Sequence, residues 1–586
     1  MLIIFPYKNL MRFFLKMHPK AFFFLLLMTL LESSISVLTI ISVAPFADFL
    51  NDPSLQDVNK ITSRVVSILD YYEVEKTLIF FGAFFIALNL LRSLADILLR
   101  YTSLAIKYQM IEKINCDLAS SIITANWSYI RKLSSGKMMN TLNRETMAVG
   151  DCVGVLCTQI SAFLKFIVLI LFPISLYPGF MLTLIAILLG LIFPYLFLQK
   201  FNYRIGKLST STSNQCIEKL AEIIRATKSI KSFIKEKKVI EDYRNILRGH
   251  FAAAKQSHTL SHAISSSYQS LGIGAVIITT IIFDEMLLSE LAVVVWSMIQ
   301  ALPLIGRILG ANSVIINYFP SFEQVQKIKN ESLLEREFAS GKKLKQVNDI
   351  LFRNVSYSVK NKRILEDINL SFESNSINAV CGKSGSGKTT LVEMISGFAK
   401  PTMGSIKING DFLENLNVFS VRSKIAYCSQ ETFLFSGSIY DNLAFVKPNV
   451  SRDEALRALE FADADKVIKK MANGIDSDIG EFGNILSGGE RQKIGIARAI
   501  LMKPDIYIFD ETTSSIDTNS ENKIFENIKA LSKTSVVIFI THNHSILNFA
   551  DTIYFLEDGN LVDHGPLRTL KHRSPKFRKF INKALA

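Results

Sequence analysis

A glycine-rich segment of this 586-residue chain has the residue types and spacing that phosphate chemistry requires. An apolar run ending at Cys381 leads into it, and a helical pattern beginning at Leu391 follows. The segment reads Gly382-Lys383-Ser384-Gly385-Ser386-Gly387-Lys388-Thr389-Thr390. In such loops glycines turn backbone N–H groups toward phosphate, the lysine reaches the terminal phosphates and the hydroxyl after it binds Mg²⁺. The pattern predicts a phosphate-binding P-loop.

A pair of acidic residues supplies the other half of this chemistry. Asp510 and Glu511 end the apolar run Ile506-Tyr507-Ile508-Phe509, which has the character of a buried strand. Asp510 is a candidate Mg²⁺-associated carboxylate, and Glu511 is a candidate base for the attacking water. Together the two motifs predict nucleotide hydrolysis.

The elements that must position these motifs belong to the second half of the chain. From about Lys342, short apolar strands alternate with helical stretches, which is the pattern of a parallel α/β domain. We place this domain at 347–586 and a linker at 324–346. The P-loop and the acidic pair would then lie at the ends of two strands of one sheet.

The first half of the chain is too apolar for an ordinary soluble domain. The whole chain is 49% hydrophobic and only 20% charged, and the long apolar runs stop near residue 320. Six hydrophobic segments, each near the roughly 20 residues that a membrane-spanning helix needs, lie at 21–48, 77–99, 153–177, 180–199, 262–283 and 287–312. The sequence predicts an α-helical six-span transmembrane domain over 1–323.

Charge predicts the topology of these spans. The segment 51–76 is acidic and belongs outside, whereas the stretches after the second and fourth spans are basic and belong in the cytoplasm with the N-terminus and the α/β domain. We expect the spans to continue there as long helices that turn near Trp127–Lys137 and Lys219–Lys231. The chain has a net charge of +14, and its basic residues concentrate in the segments that we place in the cytoplasm. No basic stripe is interleaved with stacking aromatics, so no nucleic-acid partner is expected.

The outer segment contains a short amphipathic pattern. Apolar side chains recur at helical spacing at Val58, Ile61, Val65, Ile68 and Tyr72. This spacing fits a helix on the outer membrane surface, and equally a helix packed on the protein itself.

Several charged residues interrupt the predicted spans. Ionisable groups in a membrane segment usually face a bundle interior or a cavity. Arg92 and Asp96 are four residues apart and could neutralise one another, whereas Arg307 has no acid within one turn. Arg92 and Arg307 are therefore our candidates for binding an anionic substrate group such as a phosphate.

A set of further motifs, in a fixed order, surrounds the acidic pair. The segment Leu486-Ser487-Gly488-Gly489-Glu490-Arg491-Gln492 resembles the signature of the ATP-binding-cassette superfamily. The remaining motifs of that family also occur in sequence order, and they are Gln430 after Tyr427-Cys428-Ser429, Gly480-Glu481-Phe482-Gly483, Ser515-Ile516-Asp517 and His542.

The resemblance implies ATP and Mg²⁺ as cofactors and assigns roles to residues. It gives the catalytic group as Glu511, His542 and Gln430, and the metal-binding group as Thr389, Gln430 and Asp510. It also implies that one copy presents Ser487, Gly488 and Gly489 to the ATP held by the P-loop of its partner, with Asp517 lining the interface. A dimer is therefore expected.

Three positions depart from the family pattern. Val359 stands where an aromatic that stacks on adenine is usual, so stacking is weaker or Tyr357 replaces it. Glu490 replaces a usual glutamine. Asn375 replaces a usual turn glycine, which asparagine can imitate by adopting a left-handed conformation.

The α/β domain at 347–586 is called the cassette below. The arrangement of six spans followed by one cassette resembles a half-transporter of the exporter type. The first span and its exit, the outer segment, Leu91–Leu94 and Arg307 are similar to bacterial flippases of lipid-linked oligosaccharides. The resemblance implies a homodimeric ATP hydrolase of the bacterial inner membrane that moves an amphipathic substrate such as a polyprenyl-pyrophosphate-linked oligosaccharide. An exporter of peptides, lipids or drugs is the alternative, and a nucleotide-gated channel or regulatory subunit is disfavoured by the intact Glu511.

Overall fold

The chain folds into two compact units. The structure, a computed structural model, describes residues 4–51, 53–55, 58, 60–283, 288–337, 340–360 and 362–585. The first unit comprises Met1–Ala125 and Tyr129–Arg336, and the second comprises Asn126–Ser128 and Glu337–Ala586.

The described chain is helical as far as Leu334. Six of its helices are long and apolar enough to cross a membrane, which confirms the predicted number of spans. The helices are α1 (Ile4–Met17), α2 (Pro19–Asn51), α3 (Lys60–Tyr71), α4 (Leu78–Ile123), α5 (Trp127–Ile130), α6 (Ser135–Asn140), α7 (Thr146–Leu176), α8 (Pro178–Ser232), α9 (Glu236–Ile282) and α10 (Leu288–Leu334).

Several of these helices are much longer than a membrane requires. Helix α8 has 55 residues and α9 has 47, against the roughly 20 that cross the hydrocarbon core. The predicted turn at Lys219–Lys231 is wrong, because α8 continues through it to Ser232. No glycine or proline interrupts 219–231, and the chain turns only at Phe233–Lys235, where Ile234 has φ +53°. The other predicted turn is present, since α4 ends at Ile123 before the short α5 and α6.

The junction between the two halves is shorter than the sequence suggests. Helix α10 runs on to Leu334, so the first part of the predicted linker, 324–334, is helical. The first strand of the second unit begins at Asp349.

The second unit is an α/β domain with two sheets. The strands are β1 (Asp349–Val359), β2 (Lys362–Glu373), β3 (Ile377–Gly382), β4 (Met403–Ile408), β5 (Asp411–Phe412), β6 (Ile425–Cys428), β7 (Ile506–Asp510), β8 (Val536–Thr541), β9 (Thr552–Glu557) and β10 (Asn560–Gly565). The helices are α11 (Lys388–Ile395), α12 (Val418–Arg422), α13 (Ile439–Ala444), α14 (Arg452–Phe461), α15 (Asp465–Lys470), α16 (Gly488–Met502), α17 (Thr518–Leu531), α18 (His544–Phe549), α19 (Leu567–Arg573) and α20 (Pro575–Leu585).

The larger sheet positions the P-loop and the acidic pair. Its strand order is β10-β9-β3-β8-β7-β6, and all neighbours except β10 and β9 are parallel. Strands β3, β7 and β8 are buried at every position, as expected for parallel strands covered on both faces. A separate antiparallel sheet of order β2-β1-β4-β5 was not predicted.

Helix α3 packs on the protein itself, which is one of the two alternatives left open by its sequence. Ile61 packs on a buried apolar cluster of the first unit and Thr62 is fully buried. On the other side Ile68 is 58% and Tyr71 81% exposed. The helix therefore packs on the protein through one face and leaves an apolar face uncovered.

Candidate functional site

The P-loop connects the buried strand β3 to helix α11. Gly387 has φ +97° and precedes the first residue of α11, and a Cβ there would lie 2.5 Å from Leu365 Cδ2, so only glycine fits. Lys388 is buried, and its Nζ donates to the carbonyls of Gly382 at 3.0 Å and Lys383 at 2.9 Å. Burial lowers the pKa of the Lys388 ammonium, whereas the carboxylates of Glu511 and Asp510 favour its charged form. A triphosphate in the loop would favour that charged form further.

Asp510 lies at the end of β7 in the same sheet, two strands from β3. Its Oδ2 accepts a hydrogen bond from the Tyr427 hydroxyl at 2.9 Å. Burial raises the pKa of the Asp510 carboxyl, although hydrogen bonds from Tyr427 and Thr389 act in the opposite direction. The P-loop hydroxyl and the strand-end carboxylate predicted as metal ligands are thus in direct contact. Sequence analysis missed Tyr427, although its place three residues before Gln430, on the strand next to β7, was a usable signal.

The three predicted catalytic side chains meet at Glu511. Gln430 Nε2 donates to Glu511 Oε2 at 2.7 Å, and His542 Nδ1 lies 3.1 Å from Glu511 Oε1. Glu511 has φ +50°, an unusual conformation for a residue with a side chain, and strain of this kind often occurs at active sites. The His542 side chain is 60% exposed, so it is not a core histidine. This geometry places the Glu511 carboxylate between an amide and an imidazole.

The signature residues form a second cluster at the start of α16. Ser487 caps the helix, and Glu490 Oε2 accepts hydrogen bonds from both the backbone N–H and the hydroxyl of Ser487, each at 2.8 Å. These bonds hold the pKa of the Glu490 carboxyl below its ordinary value. Gly489 lies against the Ser515 carbonyl, 2.5 Å from where a Cβ would sit. Among the described residues, no hydrogen bond joins this cluster to the P-loop.

A buried ionic network supports the signature helix and was also missed by sequence analysis. Lys493 Nζ donates to Asp463 Oδ2 at 3.0 Å and to Ser520 Oγ at 2.8 Å. Asp517 begins the next helix by accepting from the Ser520 backbone N–H at 3.0 Å. Asp463 lies far from α16 and α17 in sequence, so no local pattern could identify this contact.

The departures from the family pattern at Val359 and Asn375 have distinct structural settings. Tyr357 is half-buried and packs against a core cluster, whereas Val359 ends β1 with 43% of its surface exposed. Asn375 has φ +61°, the left-handed conformation expected of a glycine substitute. Adenine stacking by Tyr357 remains a prediction.

The predicted substrate residues line a charged cavity in the first unit. Two adjoining cavities of about 350 and 390 Å³ share Glu32, Asp96, Lys165 and Arg307, which come from helices α2, α4, α7 and α10. Arg92 lines the larger one. The structure thus brings both predicted arginines to one site, together with Lys165, which sequence analysis did not single out.

The Arg92–Asp96 pair, one of the alternatives that the spacing left open, does not form among the described contacts. Asp96 Oδ2 instead accepts from Arg100 Nε at 2.8 Å, one turn further along α4. Arg92 Nη1 donates to Gln300 Oε1 at 2.6 Å. Arg307 makes no hydrogen bond or ion pair with any residue that the structure describes, so its guanidinium is available to a ligand.

Metal ligation can be assessed from the donor sets. No cluster of three or more His, Cys, Asp or Glu side chains that could hold a metal occurs in the described ranges. Thr389, Asp510 and Gln430 offer hydroxyl, carboxylate and amide oxygens, which suit Mg²⁺ when water and phosphate oxygens complete its shell. These oxygen donors are of the type that a Mg²⁺ bound together with a nucleotide would take.

Comparison with known families covers both halves of the chain. The family described as "ABC transporter transmembrane region" matches residues 22–283, and the family described as "ABC transporter" matches residues 365–514. The chain belongs to the ABC transporters. With one transmembrane domain fused to one nucleotide-binding domain, it is a half-transporter of the exporter type that couples ATP hydrolysis to transport.

Three similar proteins extend along most of this ABC transporter. The heterocyst differentiation ATP-binding protein HepA of a Nostoc species is 28% identical over 82% of this chain and 80% of its own length. An ATP-dependent lipid A-core flippase of Syntrophus aciditrophicus is 28% identical over 77% of this chain and 76% of its own. The structure of a bacterial Atm1-family ABC exporter with ATP bound superimposes with a TM-score of 0.82 at 19% identity, covering 97% of this chain and 99% of that one. The last similarity establishes the fold alone.

Proposed function

We propose that this exporter flips an amphipathic lipid with an anionic head group, such as a polyprenyl-pyrophosphate-linked oligosaccharide, across the bacterial inner membrane. One observation carries the proposal. The Arg307 guanidinium, on a membrane-spanning helix, has no hydrogen-bond or ion-pair partner among the described residues, and it lines a cavity together with Arg92 and Lys165. A positively charged cavity among apolar helices suits a phosphate at the end of a lipid tail. The similarity to a lipid A-core flippase supports a lipid-like substrate.

The nucleotide site supplies the driving reaction in this proposal. Glu511 orients the attacking water and accepts its proton, and Gln430 and His542 hold the Glu511 carboxylate in place. Lys388 and the loop amides bind the phosphates. Thr389, Asp510 and Gln430 would hold Mg²⁺, which neutralises charge on the β- and γ-phosphates when it is bound.

We further propose that the working unit is a homodimer with the N-terminus and the cassettes in the cytoplasm. The capped start of α16, with Ser487 and Gly488, offers a second anion site that is separate from the P-loop of its own chain. A second copy can present this site to the nucleotide. The charge asymmetry of the segments between the spans supports the orientation.

The test separates ATP hydrolysis from transport. Purified protein in liposomes is assayed for phosphate release and for translocation of a fluorescent polyprenyl-pyrophosphate glycan. We expect the lipid to stimulate hydrolysis and Arg307→Ala to abolish the stimulation while basal hydrolysis persists. The matched control is Arg204→Ala, which removes an exposed arginine from α8 outside the cavity.

Two results would overturn the substrate assignment. One is normal basal hydrolysis with no response to the lipid, which would favour an exporter of peptides, other lipids or drugs. The other is equal loss of stimulation in Arg307→Ala and Arg204→Ala, because the position of the arginine in the cavity would then not matter for the response to the lipid.

A further inference from the structure

Within the charged cavity, one buried carboxylate has an unused acceptor. Glu32 on α2 is 1% exposed and lines both adjoining cavities. Its Oε1 forms an ion pair with Lys165 Nζ and accepts from Ser36 Oγ at 3.2 Å. Its Oε2 is buried and has no hydrogen-bond partner among the residues that the structure describes. An unsatisfied carboxylate oxygen at this depth is costly, so a ligand that donates a hydrogen bond to it would be stabilised.

The surrounding charges restrict what the donor can be. Lys165 already neutralises Glu32, and Arg100 already pairs with Asp96. Arg92 and Arg307 then leave the cavity with a net positive charge. A second ammonium or guanidinium on the ligand would be repelled by these groups. A neutral donor is favoured, and hydroxyl groups are the simplest neutral donors.

The same cavity therefore has two chemically different parts. Arg92 and Arg307 can bind phosphate oxygens, because arginine suits anionic oxygens in bidentate geometry. Glu32 Oε2 can accept from a hydroxyl. Thr158 and Ser161 line the smaller cavity together with Glu32 and Arg307, and its volume of about 350 Å³ gives room for a small polar head group.

We infer that Glu32 forms a hydroxyl-binding subsite, held in place by Lys165, that recognises the first sugar next to the phosphate of the substrate. This inference deepens the proposed function and rests on it, since it takes the anionic lipid as given. It names the head group as a sugar phosphate or diphosphate rather than a bare phosphate or an amine-bearing phospholipid. Glu32 is a specificity residue here, separate from the arginines that bind the anion.

The chain offers its own reporter for binding. It contains two tryptophans, and one of them, Trp296, lines the cavity next to Gln300. In a Trp127→Phe background, the fluorescence of Trp296 in lipid nanodiscs reports ligand binding without requiring hydrolysis. The probes are a polyprenyl diphosphate carrying one N-acetylhexosamine, the same lipid without sugar, and the sugar lipid with its hydroxyls methylated.

We expect the unmodified sugar lipid to bind about tenfold more tightly than the other two, the effect of one buried hydrogen bond to a charged acceptor. Glu32→Gln should remove this preference. Its amide oxygen would turn to Lys165 and leave an N–H₂ group facing the cavity, so the acceptor becomes a donor. Affinity for the lipid without sugar should change less than threefold. Thr158→Val is the control, because it alters the same cavity wall while its hydroxyl is already bonded to the Val155 carbonyl at 2.9 Å.

Three results would overturn the inference. Equal binding of all three lipids, unchanged in Glu32→Gln, removes the sugar subsite and leaves the proposed transport of an anionic lipid intact. Absence of binding by any of them removes the proposed substrate as well. Tighter binding of phosphatidylethanolamine than of the sugar lipid would show that the group donating to Glu32 is an ammonium and not a hydroxyl. The methylated lipid is tested on protein with Glu32 intact, so the conclusion stands even where Glu32→Gln fails to fold.

Discussion

Two buried carboxylates, one in each half of the chain, each face a lysine, but their hydrogen bonding differs. In the cassette, Asp463 Oδ1 accepts from Lys523 at 2.8 Å, and Oδ2 accepts from Lys493 at 3.0 Å and from Ser520 at 2.6 Å. In the membrane half, Glu32 Oε1 is bonded, whereas Oε2 has no hydrogen-bond partner among the residues that the structure describes. Satisfied acceptors stabilise a fold, whereas an unsatisfied one is available to a ligand. The comparison separates a structural carboxylate from a candidate binding one.

Replacing Glu511 by glutamine should have the largest effect, and it should affect the cassette and leave the membrane half unchanged. The substitution keeps the shape of the side chain but removes the base, so we expect ATP hydrolysis to fall by about 100-fold or more. Lipid binding at the cavity, followed through Trp296, should persist. Glu526→Gln makes the same chemical change on an exposed face of α17 and should leave phosphate release unchanged. Residual hydrolysis above a tenth of the starting rate would assign the base to another group.

Asp463→Asn tests whether the satisfied carboxylate is structural. It leaves the buried ammonium of Lys493 with only the Asp517 carboxylate, 3.9 Å away, as a counter-charge, so we expect the cassette to lose about 3 kcal/mol of unfolding free energy. Denaturant unfolding of the detergent-solubilised protein, followed by circular dichroism, measures the change. Asp463 has φ +52°, which asparagine tolerates, so the backbone is kept. Asp558 is exposed at φ +50°, and Asp558→Asn is the matched control with less than about 0.5 kcal/mol expected.

The same variant has a defined pH dependence. Although burial alone raises the pKa of the Asp463 carboxyl, hydrogen bonds from Lys523, Ser520 and Lys493 lower it on balance. A carboxyl with a lowered folded-state pKa stabilises the fold above its ordinary pKa of about 3.9 and loses that contribution as pH falls toward the folded-state value. The stability advantage over Asp463→Asn should be full at pH 7 and shrink below about pH 4. An advantage that grows on acidification would contradict the assigned network.

Close helix packing in the first unit gives the next effect. A Cβ at Gly206 on α8 would lie 2.0 Å from the Asn317 carbonyl oxygen on α10, so the two helices would have to move apart. We expect Gly206→Ala to cost about 2 kcal/mol, seen as a lower thermal midpoint in detergent. Gly190 on the same helix has no neighbour within 4 Å of its Cβ position, and Gly190→Ala should be neutral or slightly stabilising. Equal midpoints for the two variants would show that these helices do not pack as described.

How much of each half the sequence predicts depends on whether the residues that form a feature are close together or far apart in the chain. In the cassette, the P-loop and the signature each occupy one short segment at the start of a helix, so local patterns suffice to locate them. The Lys493–Asp463 contact and the pairing of β1 with β4 join segments that are distant in sequence, so they leave no local pattern. In the membrane half, hydropathy predicts six spans, but Arg92 has its partner at Gln300, 208 residues away. Sequence spacing suggested Asp96 instead.

Tyr427→Phe should give the smallest effect, and it tests how much the hydrogen bond to Asp510 contributes to ATP hydrolysis. It removes the 2.9 Å hydrogen bond to Asp510 without changing shape, and a hydrogen bond to a charged group is worth about 1.5–3 kcal/mol at most. Because Thr389 also donates to Asp510, we expect the lower end: hydrolysis about tenfold slower, with a raised requirement for Mg²⁺. Tyr440→Phe removes a hydroxyl bonded to the Val450 carbonyl at 2.7 Å, away from the acidic pair, and should reduce stability alone. If both variants hydrolyse ATP equally fast across a Mg²⁺ titration, the Tyr427 hydroxyl does not position the Asp510 carboxylate. The hydrogen bond from Thr389 would then be sufficient to position it.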